Sequence, residues 1–104
     1  MRLEILHVPD CPNTAVLETR LAAVLLASPA VKVSRHVVTS ESEAHRVGMA
    51  GSPTVLVDGV DPFARPGMQP SLSCRMYRDE QGNLGPAPST AQLSHILAGQ
   101  DSAE

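Results

Sequence analysis

The sequence predicts an α/β domain: a mixed four-stranded sheet flanked by helices, in the order β-α-β-α-β-β-α. Three observations carry this. The first strand, Leu3–Val8, is apolar on both faces at Leu3, Ile5, Leu6 and Val8, as a central strand covered on both sides is. A helical stretch separates it from the second strand, so those two run parallel. The last two strands lie close enough in sequence to pair antiparallel, and helices then pack on both faces.

Each element has a local cause. Pro9-Asp10 breaks the first strand, and a helix runs from about Pro12 to Ala27, with Leu17, Leu21, Val24 and Leu25 at helical spacing. Ser28-Pro29 stops it, because the residue before proline avoids helical angles. The second strand spans about Val31–Thr39, its Val31, Val33 and Val37 alternating with Lys32, Ser34 and His36. In "SESEAHRVG", Ser40 and Glu43 make a capping box and Gly48 a C-terminal stop. "TVLVD" is the third strand, a Pro- and Gly-rich loop follows, and the fourth strand spans about Leu72–Tyr77. "DEQGNLGPAP" is a turn region. Ser89 caps a last helix whose apolar face is Leu93, Ile96 and Leu97, ending at Gly99. Residues 1–99 read as one domain and residues 100–104 as a flexible tail.

Composition narrows the function. The chain has 104 residues and a net charge of −3, and aromatics make up 2%, Phe63 and Tyr77 alone. With no basic run and no aromatic platform, nucleic acid is not an expected partner. No apolar run approaches the ~20 residues that span a bilayer. "MRLEILHV" carries Glu4 and is too short for a signal peptide. The expected compartment is the cytoplasm, where cysteines stay reduced. Nothing specifies the oligomeric state. The scattered His7, His36, His45 and His95 and the His7-x3-Cys11 spacing give no convergent set of four ligands, so neither a structural zinc site nor a cofactor is expected.

Cys11 stands at the join of the first strand and the first helix. Unpaired N–H groups and partial positive charge at a helix N-terminus stabilise a thiolate. Pro12 suits the first helical position. Thr14, three residues on, can turn its hydroxyl back to the sulfur without forming a disulfide. The competing reading is a small, inert buried thiol. Asp10 either raises the Cys11 pKa by its charge or serves only as a turn residue and N-cap. The Val60–Pro70 loop holds Phe63 as its hydrophobic anchor.

The element order, Cys11 and "GSPTVLVDG" together resemble the thioredoxin-like superfamily. More narrowly, "DCPN", "GSPT" with "DGVDPF", and "SCRMY" are similar to blocks of small actinobacterial thioredoxin-family proteins often described as alkylmercury-lyase-like. The resemblance covers roughly Leu3 to Leu97. It implies that Cys11 is the reactive thiol and that Pro53 is a cis-proline facing it. It implies that Ser52, Pro53 and Thr54 line a substrate groove, Ser52 offering backbone groups to a substrate strand. Cys74, on the opposite face of its strand from Arg75 and Tyr77, is then either a resolving cysteine or a packed core thiol. Arg75 either holds a thiolate or anionic substrate or is a solvated strand residue. The departure is "CPNT" in place of Cys-x-x-Cys, which rules out a disulfide within the motif.

Three functions follow. The first is a monothiol thiol-disulfide oxidoreductase acting on a thiol or disulfide, small molecule or protein, with Cys11, Thr14 and Cys74 as its chemistry. The second is a non-catalytic binding module using the groove beside Pro53. The third is organomercurial or soft-metal handling, for which Cys11, Cys74 and Asp10 supply the residue types and which requires the two sulfurs to converge.

Overall fold

The computed structural model describes residues 1–101, with side chains described through residue 98. In chain order the elements are β1 (Arg2–His7), α1 (Pro12–Leu25), β2 (Lys32–Val37), α2 (Glu41–Val47), β3 (Ala50–Ser52), β4 (Thr54–Val57), β5 (Ser71–Cys74), β6 (Tyr77–Arg78), β7 (Leu84–Gly85) and α3 (Thr90–Asp101). The molecule is an α/β fold with three helices and a mixed sheet. β1 is central, parallel to β2 and antiparallel to β4. Its alternating side chains split the core. Leu3 and Ile5 pack with Leu17 and Leu21 of α1, Val55 of β4, and Leu93 and Leu97 of α3. Leu6 packs on the other face with Leu56, Val38, Met49 and Ala44 of α2. The helices therefore cover both faces, as the two-sided apolar pattern of β1 requires.

Three expectations are corrected. The main sheet has three strands, because β5 pairs in parallel with β3 instead of antiparallel with β4. Pro53 explains the split. It has no N–H to donate to a ladder, so the extended run breaks there and β3 and β4 join different sheets. Second, the fourth strand is itself broken: β5 ends at Cys74, Arg75 turns inward, and β6 forms a hairpin with β7. The turn is held by the Asp79 carboxylate, which accepts from the N–H groups of Gln81 and Asn83, both at 2.9 Å. Third, the second strand ends at Val37, which is half-exposed, while Val38 is buried. The backbone of Val38 still donates to His7 (2.7 Å), but its side chain already faces α2.

Helix ends follow their caps. Ser40 Oγ accepts from Glu43 N at 3.1 Å, and Glu43 Oε1 accepts from Thr39 N at 3.0 Å. Gly48 closes α2 at φ 84°, a left-handed angle that glycine adopts without penalty. Ser89 Oγ accepts from Gln92 N, and Gln92 returns the bond to Ser89 N, a complete capping box. α1 ends at Leu25, short of Ala27, and α3 continues past Gly99 to Asp101. Of the expected tail, residues 102–104 lie outside the described residues. Among the described residues no helix is long and apolar enough to cross a membrane.

Glu43 carries a testable consequence. A hydrogen bond with His36, and then the Thr39 N–H, hold its carboxyl below the ordinary value of 4.5. The fold favours the ionised form. Its contribution is therefore present above pH 4.5 and is lost as the pH falls through the lower folded-state value. Urea titrations of Glu43→Gln are expected to show a shallower loss of stability on acidification than the parent. Parallel curves would contradict this.

Candidate functional site

The site is built at the exit of β1. Past His7 the chain turns through Val8, Pro9 and Asp10, and Asp10 takes a left-handed φ of 55°, which Asp tolerates better than most side chains. The N-cap of α1 is Cys11, with extended φ −79° and ψ 114°, and not Asp10 as one reading of the sequence had it. Asp10 is exposed and is the turn residue. Pro12 opens the helix, and Thr14 N donates to Cys11 O at 3.2 Å. The Cys11 side chain makes no capping hydrogen bond.

Cys11 is partly exposed, and its Sγ lies 3.9 Å from the carbonyl oxygen of Ser52. Burial pushes the thiol up, but the Ser52 and Thr14 hydroxyls and the backbone N–H groups of Thr14 and Asn13 outweigh it, and the thiol sits below its ordinary value. Thr14 is also unusual in its burial. It is 4% exposed, and among the described residues its hydroxyl is the buried side-chain polar atom left without a hydrogen-bond partner. An unpaired buried hydroxyl costs about 1–3 kcal/mol. Thr14 is one of the groups that favour the charged form of Cys11, for which its hydroxyl is a donor.

Around the sulfur lies a closed scaffold. The Ser52–Pro53 peptide is cis. Ser52, Pro53 and Thr54 are all buried, and their polar groups serve the protein itself. Ser52 Oγ accepts from Val8 N (3.1 Å), and Ser52 O accepts from Arg75 N (2.9 Å). Tyr77 Oη donates to Pro53 O at 2.5 Å. Burial drives that phenol well above its ordinary value, Arg75 opposing and Asp61 adding, so it remains a neutral donor. Thr54 Oγ1 donates to Gly51 O at 2.6 Å and accepts from Ala50 N at 3.1 Å. The Ser52 carbonyl expected to face a substrate strand is thus already taken by Arg75 N.

Arg75 is 5% exposed, which corrects the reading of a solvated strand residue. Its guanidinium pairs with Asp61 at 2.7 Å, donates to Phe63 O at 2.9 Å and lies 4.7 Å from the centre of the Tyr77 ring. Phe63 meets Tyr77 edge-to-face at 5.4 Å and anchors its loop. Cys74 is exposed, which corrects the packed-core alternative, and it stands opposite Ser52 in the β3–β5 ladder. Both cysteines are free, with Ser52 touching one and pairing with the other. Among the described residues no group of three His, Cys, Asp or Glu side chains can hold a metal ion, so Asp10, Cys11 and Cys74 do not form one.

Sequence reasoning missed Asp61, the hydroxyl of Tyr77, and Gly51. Gly51 has φ +97°, and a Cβ there would meet the Cβ of Arg75 at 2.8 Å and Ser73 O at 3.3 Å. Its signal was a glycine just before Ser52-Pro53, where backbone closeness is the usual reason for that residue. Gly51→Ala is expected to cost roughly 2–5 kcal/mol, combining backbone strain with overpacking. Urea denaturation measures it, and a cost below about 1 kcal/mol would mean the β3–β5 contact is looser than described. No family model, curated protein or solved structure matches the chain.

Proposed function

We propose that the protein is a thioredoxin-like oxidoreductase working with a single nucleophilic thiol, Cys11. The supporting observation is the Cys11 sulfur at the open N-terminus of a 14-residue helix, beside a buried Thr14 hydroxyl that lacks an acceptor. The Ser52 carbonyl next to that sulfur, just before Pro53, with β1 parallel to β2 and antiparallel to β4, supports the thioredoxin-like reading of the fold. The parallel β3–β5 pair departs from the four-stranded sheet that reading implies.

The chemistry is an exchange. The Cys11 thiolate attacks one sulfur of a disulfide, the S–S bond breaks, and the other sulfur leaves as a thiolate that takes up a proton. With no second cysteine at position 14, the mixed disulfide is resolved in one of two ways. An external thiol attacks the substrate sulfur and releases the Cys11 thiolate, or Cys74 attacks the Cys11 sulfur, the substrate leaves as a thiolate that takes up a proton, and an external thiol reduces the Cys11–Cys74 disulfide. A reducing compartment such as the cytoplasm supplies external thiols. Ser52, Pro53, Thr54 and Arg75 act here as the rigid wall behind the sulfur. Brief exposure of the folded protein to a small disulfide at neutral pH, read by intact mass and peptide mapping, is expected to give an adduct on Cys11 before one on the exposed Cys74. An adduct on Cys74 alone, or none, would contradict the reading and favour a non-catalytic binding module.

A further inference from the structure

The chain gathers its scarce residue types around one cavity of about 170 Å3. Its lining holds both aromatics of the sequence, Phe63 and Tyr77, and two of its four methionines, Met68 and Met76. Three of the eight Lys/Arg residues, Arg65, Arg75 and Arg78, are there too. The charges are not equivalent. Arg75 is buried and neutralised by Asp61. Arg65 and Arg78 are exposed, and among the described residues neither is paired with a carboxylate. In a chain of net charge −3 this is a local positive spot over an apolar wall. Met76, 50% exposed, leaves part of that wall open to solvent.

Cys11 and the cavity share Arg75 as a neighbour. The sulfur and the N–H of Arg75 both approach the carbonyl oxygen of Ser52. Arg75 and its neighbour Met76 both line the cavity. We propose that this cavity holds the anionic, partly apolar body of the small thiol that Cys11 exchanges with, a carboxylate-bearing thiol or its disulfide. Arg65 and Arg78 face the carboxylate, and the thioether walls adapt to the apolar part. In the exchange, the disulfide sulfur nearer Cys11 becomes the mixed-disulfide sulfur. The other leaves as a thiolate and is protonated by solvent. The inference rests on the thiol-disulfide reading above.

The test compares two aromatic disulfides on Cys74→Ser protein, each rate taken relative to free cysteine. Dithiobis(nitrobenzoate) carries a carboxylate on each ring, and dithiodipyridine carries none. The anionic disulfide is expected to be favoured about tenfold, as a local field of one sign provides, with the preference shrinking as salt is added. Arg65→Gln with Arg78→Gln should abolish the preference and leave the dithiodipyridine rate unchanged, which also reports that the variant is folded. Equal relative rates, or a preference that survives both substitutions, would overturn the inference alone. Failure of both reagents on the folded protein would overturn the reading of Cys11, and the inference with it.

Discussion

Arg75→Ala is expected to destabilise the protein by about 3–5 kcal/mol, the usual loss when one partner of a buried ion pair is removed. The side chains of Arg75 and Asp61 are 4% and 12% exposed, so the carboxylate left behind is poorly solvated. The variant also frees Phe63 O and removes the guanidinium from the Tyr77 ring. These contacts tie the Asp61–Met68 segment to the end of β5. At about 4–8 °C per kcal/mol for a domain near this size, Tm falls by more than about 10 °C. Arg75→Ala combined with Asp61→Ala should cost much less than the sum of the single changes, because no lone charge remains. A single-variant loss below about 1 kcal/mol, or strict additivity, would show that the pair does not hold this loop.

Cys11→Ser is expected to reduce turnover of a small disulfide to the uncatalysed rate. A serine hydroxyl is not ionised near neutral pH and forms no exchangeable bond to sulfur. Cys74→Ser should keep most of the activity when an external thiol is supplied, because that thiol can attack the mixed disulfide in place of Cys74. The paired assay separates the roles. Loss in Cys74→Ser alone would make Cys74 the nucleophile, and loss in both would make it the resolving thiol.

The features legible in the sequence were those with a local cause. The two-sided apolar pattern of Leu3–Val8 marked the central strand, and Ser40 with Glu43 marked the start of α2. Cys11 and Pro53 were legible as a pair through family resemblance, and the structure brings Cys11 against Ser52, the residue before Pro53. What stayed hidden is non-local. A three-residue strand such as β3 has too little pattern to be read, and its parallel pairing with β5 depends on a crossover through β4 and the long loop. Arg75 looked solvated because its partner Asp61 lies 14 residues away. Val37 and Val38 are equally apolar, and only the docking of α2 decides which is buried. Thr14 was legible by its spacing from Cys11, but the absence of any other partner for its hydroxyl is a fact of packing.

The α1 terminus and Thr14 favour the thiolate form of Cys11. The direct measurement is the pH dependence of Cys11 alkylation in folded Cys74→Ser protein, read by intact mass, beside the same protein carrying Thr14→Val. The midpoint is expected below the free-thiol value of about 8.5. Thr14→Val should slow alkylation at neutral pH by roughly tenfold, the worth of one hydrogen bond to a charged group. A midpoint at or above the free-thiol value, unmoved by Thr14→Val, would make Cys11 an inert thiol and contradict the account.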